Sequence, residues 1–250
     1  GSFNNTTTRY YRDILQNFQL SMEAVYGPLA PDKFLAACVL SHKIDSHLMA
    51  IQQARMTDHL SLNNAEYFKL MRAQEYLLPT DYLSLLEQVD ILDQPGESPR
   101  ARMMVSGILP PTPEILEFLD ELGVSIVADD LLAGSRRIPK FPMDAPVSPL
   151  DYLTDRFFIL PPCSTRGGDL DERLHHLSKH MNASQAQGIL FDIVKFCEPE
   201  LFDHRLLVKT LRGKNYPVLT LETELENHIS GQDKTRIEAF TELLFEMVSP

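Results

Sequence analysis

The sequence predicts an α/β protein in which an all-helical N-terminal region precedes a layer of parallel strands and helices. Three observations carry that prediction. As far as about residue 91, good helix formers dominate and β-branched runs are rare. Beyond the turn cluster Gln94-Pro95-Gly96-Glu97-Ser98-Pro99, short apolar runs alternate with amphipathic stretches, as strand–helix units do. Those runs lack the in-and-out alternation of a one-sided sheet, so both of their faces are buried, as in parallel sheets. The chain divides accordingly into a helical region, residues 1–98, and an α/β domain, residues 99–250.

Each element has its own signal. Tyr10-Tyr11-Arg12-Asp13-Ile14-Leu15-Gln16-Asn17-Phe18 spaces apolar residues at three- and four-residue steps. Pro31 opens a second helix through Phe34-Leu35-Ala36-Ala37-Cys38-Val39-Leu40, and a third runs through Ile51 and Arg55. Ser61-Leu62-Asn63 and Asp81-Tyr82 read as further helix starts. Strands are expected at 102–108, 124–128, 188–196 and 217–221. Helices follow at 113–119, closed by Gly123, and at 170–181, 200–211 and 233–247. Residues 131–162, with six prolines, read as irregular. Four buried strands alternating with helices describe a flavodoxin-like four-stranded parallel sheet.

Composition narrows the function. With 250 residues, 44% hydrophobic and 23% charged, the chain can bury roughly 70% of its unfolded surface without a disulfide or metal staple. Lys plus Arg number 23 against 35 Asp plus Glu, a formal charge of −12, which disfavours nucleic acid and anionic membrane surfaces as partners. No run approaches the ~20 apolar residues of a membrane helix, and no signal peptide is evident. Three scattered cysteines fit a reducing, cytoplasmic compartment. Gly1-Ser2 resembles the remnant of a cleaved tag, so the sequence reads as a piece of something longer.

In a parallel sheet, ligands meet the loops at the strands' carboxyl ends. Asp129-Asp130 closes one strand with two carboxylates facing different environments. These would hold a divalent cation, or cap a turn and pair with Arg136 or Arg137. Gly134-Ser135-Arg136 offers amides, a hydroxyl and a guanidinium to an anion. Cys197 follows a strand and opens a helix, a setting that favours thiolate, though from composition alone a buried inert cysteine is the better account. Cys163 carries the same ambiguity, and Cys38 sits in a helical core stretch. His176 and His180 have zinc-compatible spacing, but a solvated helix face is the better account; His42 and His47 read as incidental. No Gly-rich phosphate loop, nucleophile elbow or Cys-x-x-Cys pair is present.

The order of these motifs is more telling than any one of them. Gly107 precedes Asp129-Asp130 with Gly134-Ser135-Arg136, and Asp155-Arg156 leads to Pro162-Cys163. Lys195-Phe196-Cys197-Glu198-Pro199 follows, with Phe202-Asp203. Then come Pro217-Val218-Leu219, Leu221-Glu222-Thr223, Gly231-Gln232, Thr235-Arg236 and Glu238-Ala239-Phe240. Together with Tyr10-Tyr11, Glu23, Gly27 and Leu35, this succession resembles the 2-hydroxyacyl-CoA dehydratase and benzoyl-CoA reductase family, specifically a 2-hydroxyglutaryl-CoA dehydratase D-component-like subunit, over residues 8–248.

The resemblance implies a [4Fe-4S] cluster held by three cysteines per subunit, with one iron open. Cys197 matches the third ligand. The other two belong to an N-terminal α/β domain with no counterpart before Thr8, so the chain looks like the middle and C-terminal parts of a subunit. Alone it should retain no cluster and be silent. Lys195 and Glu198 would tune the cluster's potential, and Ser135 and Arg136, with Asp129 and Asp130, would line the neighbouring loop. Leu132, where many members have cysteine, and Arg137, where they have an aromatic, leave the subfamily open.

The implied reaction removes water from a 2-hydroxyacyl-CoA whose β-hydrogen is scarcely acidic. One-electron reduction to a ketyl radical lets hydroxide leave and makes that proton removable. The implied partners are a homologous second subunit, an ATP-dependent iron–sulfur activator and the acyl-CoA. The alternatives are ring reduction of an aromatic acyl-CoA and an accessory subunit without turnover.

Overall fold

Prolines and side-chain caps set most of the helix starts, because the first amides of a helix find no acceptor inside it. The computed structural model describes residues 5–166, 169–224 and 228–247; Gly1-Ser2 and the end of the resemblance at Val248 lie outside the described residues. Helix α1 (Asn5–Tyr26) is followed by α2 (Pro31–Met56), which opens on its proline. Two helices were expected between Pro31 and Arg55. A single one of 26 residues forms instead, since no Gly or Pro between Leu40 and Ile51 interrupts the ladder. α3 (Asn64–Arg72) starts with a capping box, Asn63 accepting from the Glu66 amide and Glu66 from the Asn63 amide. α4 (Pro79–Leu86) follows.

Among the described residues, α2 alone is long and apolar enough by length and composition to cross a membrane. Its C-terminal half packs into the protein: Leu48, Ile51 and Ala54 are buried, and Asp45 holds Arg156 at 2.6 and 2.8 Å.

The sheet consists of β1 (Ala101–Gly107), β2 (Val124–Leu131), β3 (Gly188–Val194) and β4 (Val218–Thr223) in the order β2-β1-β3-β4, all parallel. The expected α/β architecture is therefore present. α5 (Pro113–Glu121) joins β1 to β2, and Gly123 ends it at φ +75°, a conformation L side chains avoid. α7 (Leu170–Ser184) is capped by Asp169, and α9 (Gly231–Glu246) by Ser230. α8 (Glu198–Gly213) carries Pro199 in its first turn.

The irregular reading of residues 131–162 needs correction. Pro149 opens α6 (Pro149–Ile159), because proline at the first helical position loses no bond. α6 packs on α1, with Tyr11 stacked on Phe157 at 4.1 Å between ring centroids and Arg12 paired to Asp151 at 2.6 Å.

Two apolar clusters clothe the sheet. On one face α5, α9 and the helices α2–α4 pack with Met103, Val105, Leu190, Leu219 and Leu221 in a single continuous core. On the other α7 and α8 cover Met104, Ile189, Phe191 and Ile193. The outer edge of β2 is closed by side chains: Asn64 donates to the Val124 carbonyl at 2.7 Å and accepts from the Ile126 amide at 2.7 Å, and Arg55 donates to the Ile126 carbonyl at 2.9 Å. Those bonds dock the helical region on a strand edge that would otherwise be unpaired.

Candidate functional site

The strand order reverses between β1 and β3, where such sheets open a crevice at the carboxyl ends. A cleft of about 960 Å³ occupies that position here. Period-two alternation builds its floor. On the face that carries Leu190, the next residues of β3 are Asp192 and Val194; β4 continues Leu219 and Leu221 to Thr223, and β1 ends in Gly107. Asp192, Val194 and Thr223 line the cleft. Leu109, Pro110 and Pro111 after β1, with Phe68, Tyr76 and Leu77 from the helical region, make its walls apolar. Lys69 and Arg72, exposed and half-buried, add cations to the lining.

Gly107 is required by close approach. A Cβ there would stand 2.3 Å from the Asp192 carbonyl oxygen. Asp192 itself is buried, and Thr223 Oγ1 donates to its Oδ1 at 2.9 Å. Burial pushes its pKa up to about 6, against the pull of the Thr223 bond.

On the opposite face lies a buried ionic network. A register shift between Met103 and Met104 gives β2 one extra residue, so Asp129 pairs in register with Val105 and Asp130 with Ser106. The adjacent carboxylates thus turn to opposite faces, as the sequence led us to expect, but both lie within β2 rather than in a loop after it. Asp130 receives Arg136 Nε and Nη2 at 2.9 and 2.8 Å and Ser106 Oγ at 2.8 Å. Arg136 Nη1 also donates to Glu200 at 2.5 Å, and Arg173 reaches Glu200 at 3.3 Å and Asp203 at 2.8 Å. Burial opposes charge on Asp130, yet Arg136 and Arg173 outweigh it and hold the carboxyl well below its usual range. Glu200 is lowered for the same reasons.

The remaining expected residues fall as follows. Asp129 accepts the Ser135 and Leu131 amides at 2.9 and 3.2 Å, and Ser135 Oγ donates to the Asp129 carbonyl. Ser135 and Arg136 are buried and spend these donors inside the protein. Cys197 is half-exposed at the head of α8, after Phe196 in a left-handed turn (φ +68°). Lys195 is exposed and pairs with Glu224 at 2.6 Å, and Glu198 is exposed in the first turn of α8. Cys38 and Cys163 are buried, the latter with its Sγ 3.6 Å from Arg136 Nη1. Burial would raise the Cys163 thiol, but Arg136 and Thr165 bring it below its ordinary value.

The solvated face expected around His176 and Arg173 is corrected: both are buried against Asp130, with His176 Nε2 3.9 Å from Asp130 Oδ1. Burial holds the imidazole pKa down to about 4, so it is neutral. Among the described residues, no group of three or more His, Cys, Asp or Glu side chains could hold a metal ion.

Sequence reasoning missed Asp192 and Glu200. Asp192 had a signal: a single carboxylate in the apolar run Gly188–Val194. Glu200 had none, because its partner Arg136 is 64 residues away.

Proteins of similar sequence are dehydratase subunits. The sequence model described as 2-hydroxyglutaryl-CoA dehydratase, D-component, matches residues 4–244. The (R)-phenyllactyl-CoA dehydratase beta subunit of Clostridium sporogenes is 29% identical over 143 residues, 57% of this chain and 38% of the relative. The lactoyl-CoA dehydratase subunit beta of Anaerotignum propionicum is 26% identical over 178 residues, 70% of this chain and 48% of the relative. The (R)-2-hydroxyglutaryl-CoA dehydratase subunit beta of Acidaminococcus fermentans is 27% identical, with the same coverage, 70% and 48%. The chain spans less than half the length of these curated relatives.

Proposed function

The chain belongs to the 2-hydroxyglutaryl-CoA dehydratase D-component family, and from that premise we propose that it is part of the iron–sulfur subunit of a 2-hydroxyacyl-CoA dehydratase. The reaction we assign is loss of water from the thioester through a ketyl radical, with the electron delivered by an ATP-dependent activator and a homologous second subunit completing the enzyme. The observation that carries this reading is a half-exposed cysteine, Cys197, at the same sheet edge as an acyl-sized apolar cleft.

Cys197 suits one thiolate position of a [4Fe-4S] cluster. The described residues offer no complete ligand set, and Cys38 and Cys163 are buried, so the other ligands in this reading come from elsewhere in a longer subunit. A bound cluster would supply one-electron chemistry. What this chain contributes is a rigid seat: Phe196 in its left-handed turn and the Cys197 amide bonded to the Val194 carbonyl at 3.1 Å fix the thiol at the head of α8. The cleft walls would exclude water from the acyl group, and Lys69, beside the Arg72–Glu75 pair, suits a phosphate of coenzyme A.

The test is anaerobic purification of the complete subunit with and without Cys197→Ala. About four irons and four sulfides per subunit, lost in the variant, with dehydration of a 2-hydroxyacyl-CoA by the assembled enzyme, is the expected result. Iron unaffected by the substitution would remove Cys197 from the ligand set.

A further inference from the structure

Asp192 stands at the sheet edge with a role that neither the cysteine nor the buried network supplies. It is 3% exposed but belongs to the cleft lining rather than the apolar core. On one side its register partner is Gly107, which has no side chain to cover it. On the other, Thr223 occupies Oδ1, and no hydrogen bond among the described residues reaches Oδ2. A carboxylate costs several kcal/mol to bury and is ordinarily given a cation; none pairs with this one among the described residues. Thr223 donates rather than accepts, so it supports the ionised form, the form that can receive a proton.

We propose that the acyl end of the thioester lies in this cleft and that Asp192 is the catalytic residue that receives the substrate's β-proton. This rests on the dehydratase reading. The step is a proton transfer alone. After one-electron reduction has expelled hydroxide, the β C–H bond breaks, its electron pair stays in the substrate carbon framework, and an O–H bond forms on Asp192. The proton then passes to hydroxide or solvent as water, and the electron returns from the product, so the sum is loss of one water with no net redox change. The reductant is the one-electron iron–sulfur donor already named.

The charges around the carboxylate keep it poised. Glu66, Lys69 and Arg72 face the cleft from α3, Glu117 from α5 and Glu224 from beyond β4, while Asp233 on α9 acts on it at longer range. With its pKa near 6, Asp192 is ionised at neutral pH yet basic enough to hold a proton briefly.

The experiment uses the assembled enzyme and also the 250-residue chain. In the enzyme, Asp192→Asn should lower kcat at least ~100-fold with KM changed less than about threefold, and should abolish the acid limb of kcat. Thr223→Val, which removes the donor to the carboxylate, should move that limb to higher pH while leaving most of kcat above it. A wild-type kcat in Asp192→Asn, or an acid limb indifferent to both substitutions, overturns the inference and leaves the dehydratase reading standing.

For the chain itself, calorimetric titration with a panel of 2-hydroxyacyl-CoA thioesters, in two buffers of different ionisation enthalpy, reads proton uptake on binding. Covering the carboxylate with an acyl group should raise its pKa further, drawing in protons near pH 6.5 in wild type, none at pH 8, where it stays ionised to receive the β-proton, and none at either pH in Asp192→Asn. Binding with no Asp192-dependent uptake, or no binding, overturns the inference. Uptake in an assembled wild-type enzyme that dehydrates nothing would instead overturn the dehydratase reading and keep the cleft as an Asp192-linked acyl site. Far-UV circular dichroism melts confirm that each variant is folded.

Discussion

Replacing Arg136 with methionine should destabilise the fold by about 3–5 kcal/mol, the range for removing one partner from a buried ion pair. The magnitude follows from what is left behind. Arg136 is 1% exposed and gives two hydrogen bonds to Asp130 and one to Glu200. Without it Asp130, Glu200 and Asp203 face Arg173 alone. Methionine fills much of the arginine stem's volume, so the cavity contribution is small beside the stranded charge. The pH dependence fixes the sign. Both carboxyls are held below their ordinary values in the folded state, so the stabilisation they bring is complete above about pH 4.5 and is lost as pH falls through their folded values. The penalty of Arg136→Met should therefore be largest at pH 7.5 and shrink toward pH 4. Urea unfolding followed by far-UV circular dichroism, at both pH values, measures it. Arg136→Met combined with Asp130→Asn should cost at least about 1 kcal/mol less than the sum of the single changes. A loss under about 1 kcal/mol at pH 7.5, or one that grows toward acid, would refute the network as a paired structure.

Three further outcomes are expected. Because the folded pKa of Asp192 lies above its unfolded value, the wild type should lose up to about 3 kcal/mol as pH rises from about 4 to 6, and Asp192→Asn should be the more stable protein at pH 8 in urea titrations. The same substitution that stops turnover would then strengthen the fold, the trade expected of a functional carboxylate. His176 has the opposite sign: its folded pKa near 4 lies below the unfolded value, so stability falls as pH drops from about 6.5 to 4, and thermal melts of His176→Leu should show a shallower acid decline. Gly107→Ala should cost about 1–3 kcal/mol, read as a lowered Tm, because its Cβ has only the Asp192 backbone to displace.

The local features of this protein were written in its sequence. The turn at Gln94–Pro99, the four apolar runs and the glycine that ends α5 each follow from backbone bonds and periodicity within a few residues. So did the position of Cys197 between a strand and a helix. The Pro149 helix was hidden only by the weight of neighbouring prolines, one of which is what starts it.

Tertiary structure decided the rest. Which of Asp129 and Asp130 turns toward Arg136 depends on one extra residue of β2 against β1, a pairing between segments some twenty residues apart. That Asp192 meets a cleft while Leu190, two residues earlier, meets a core depends on where α5 and the helical region stop covering β3. Periodicity tells a carboxylate which face of a strand it occupies. Whether that face offers it an arginine, an amide or an open crevice is fixed by elements distant in the chain, and its charge and chemistry follow from that neighbour.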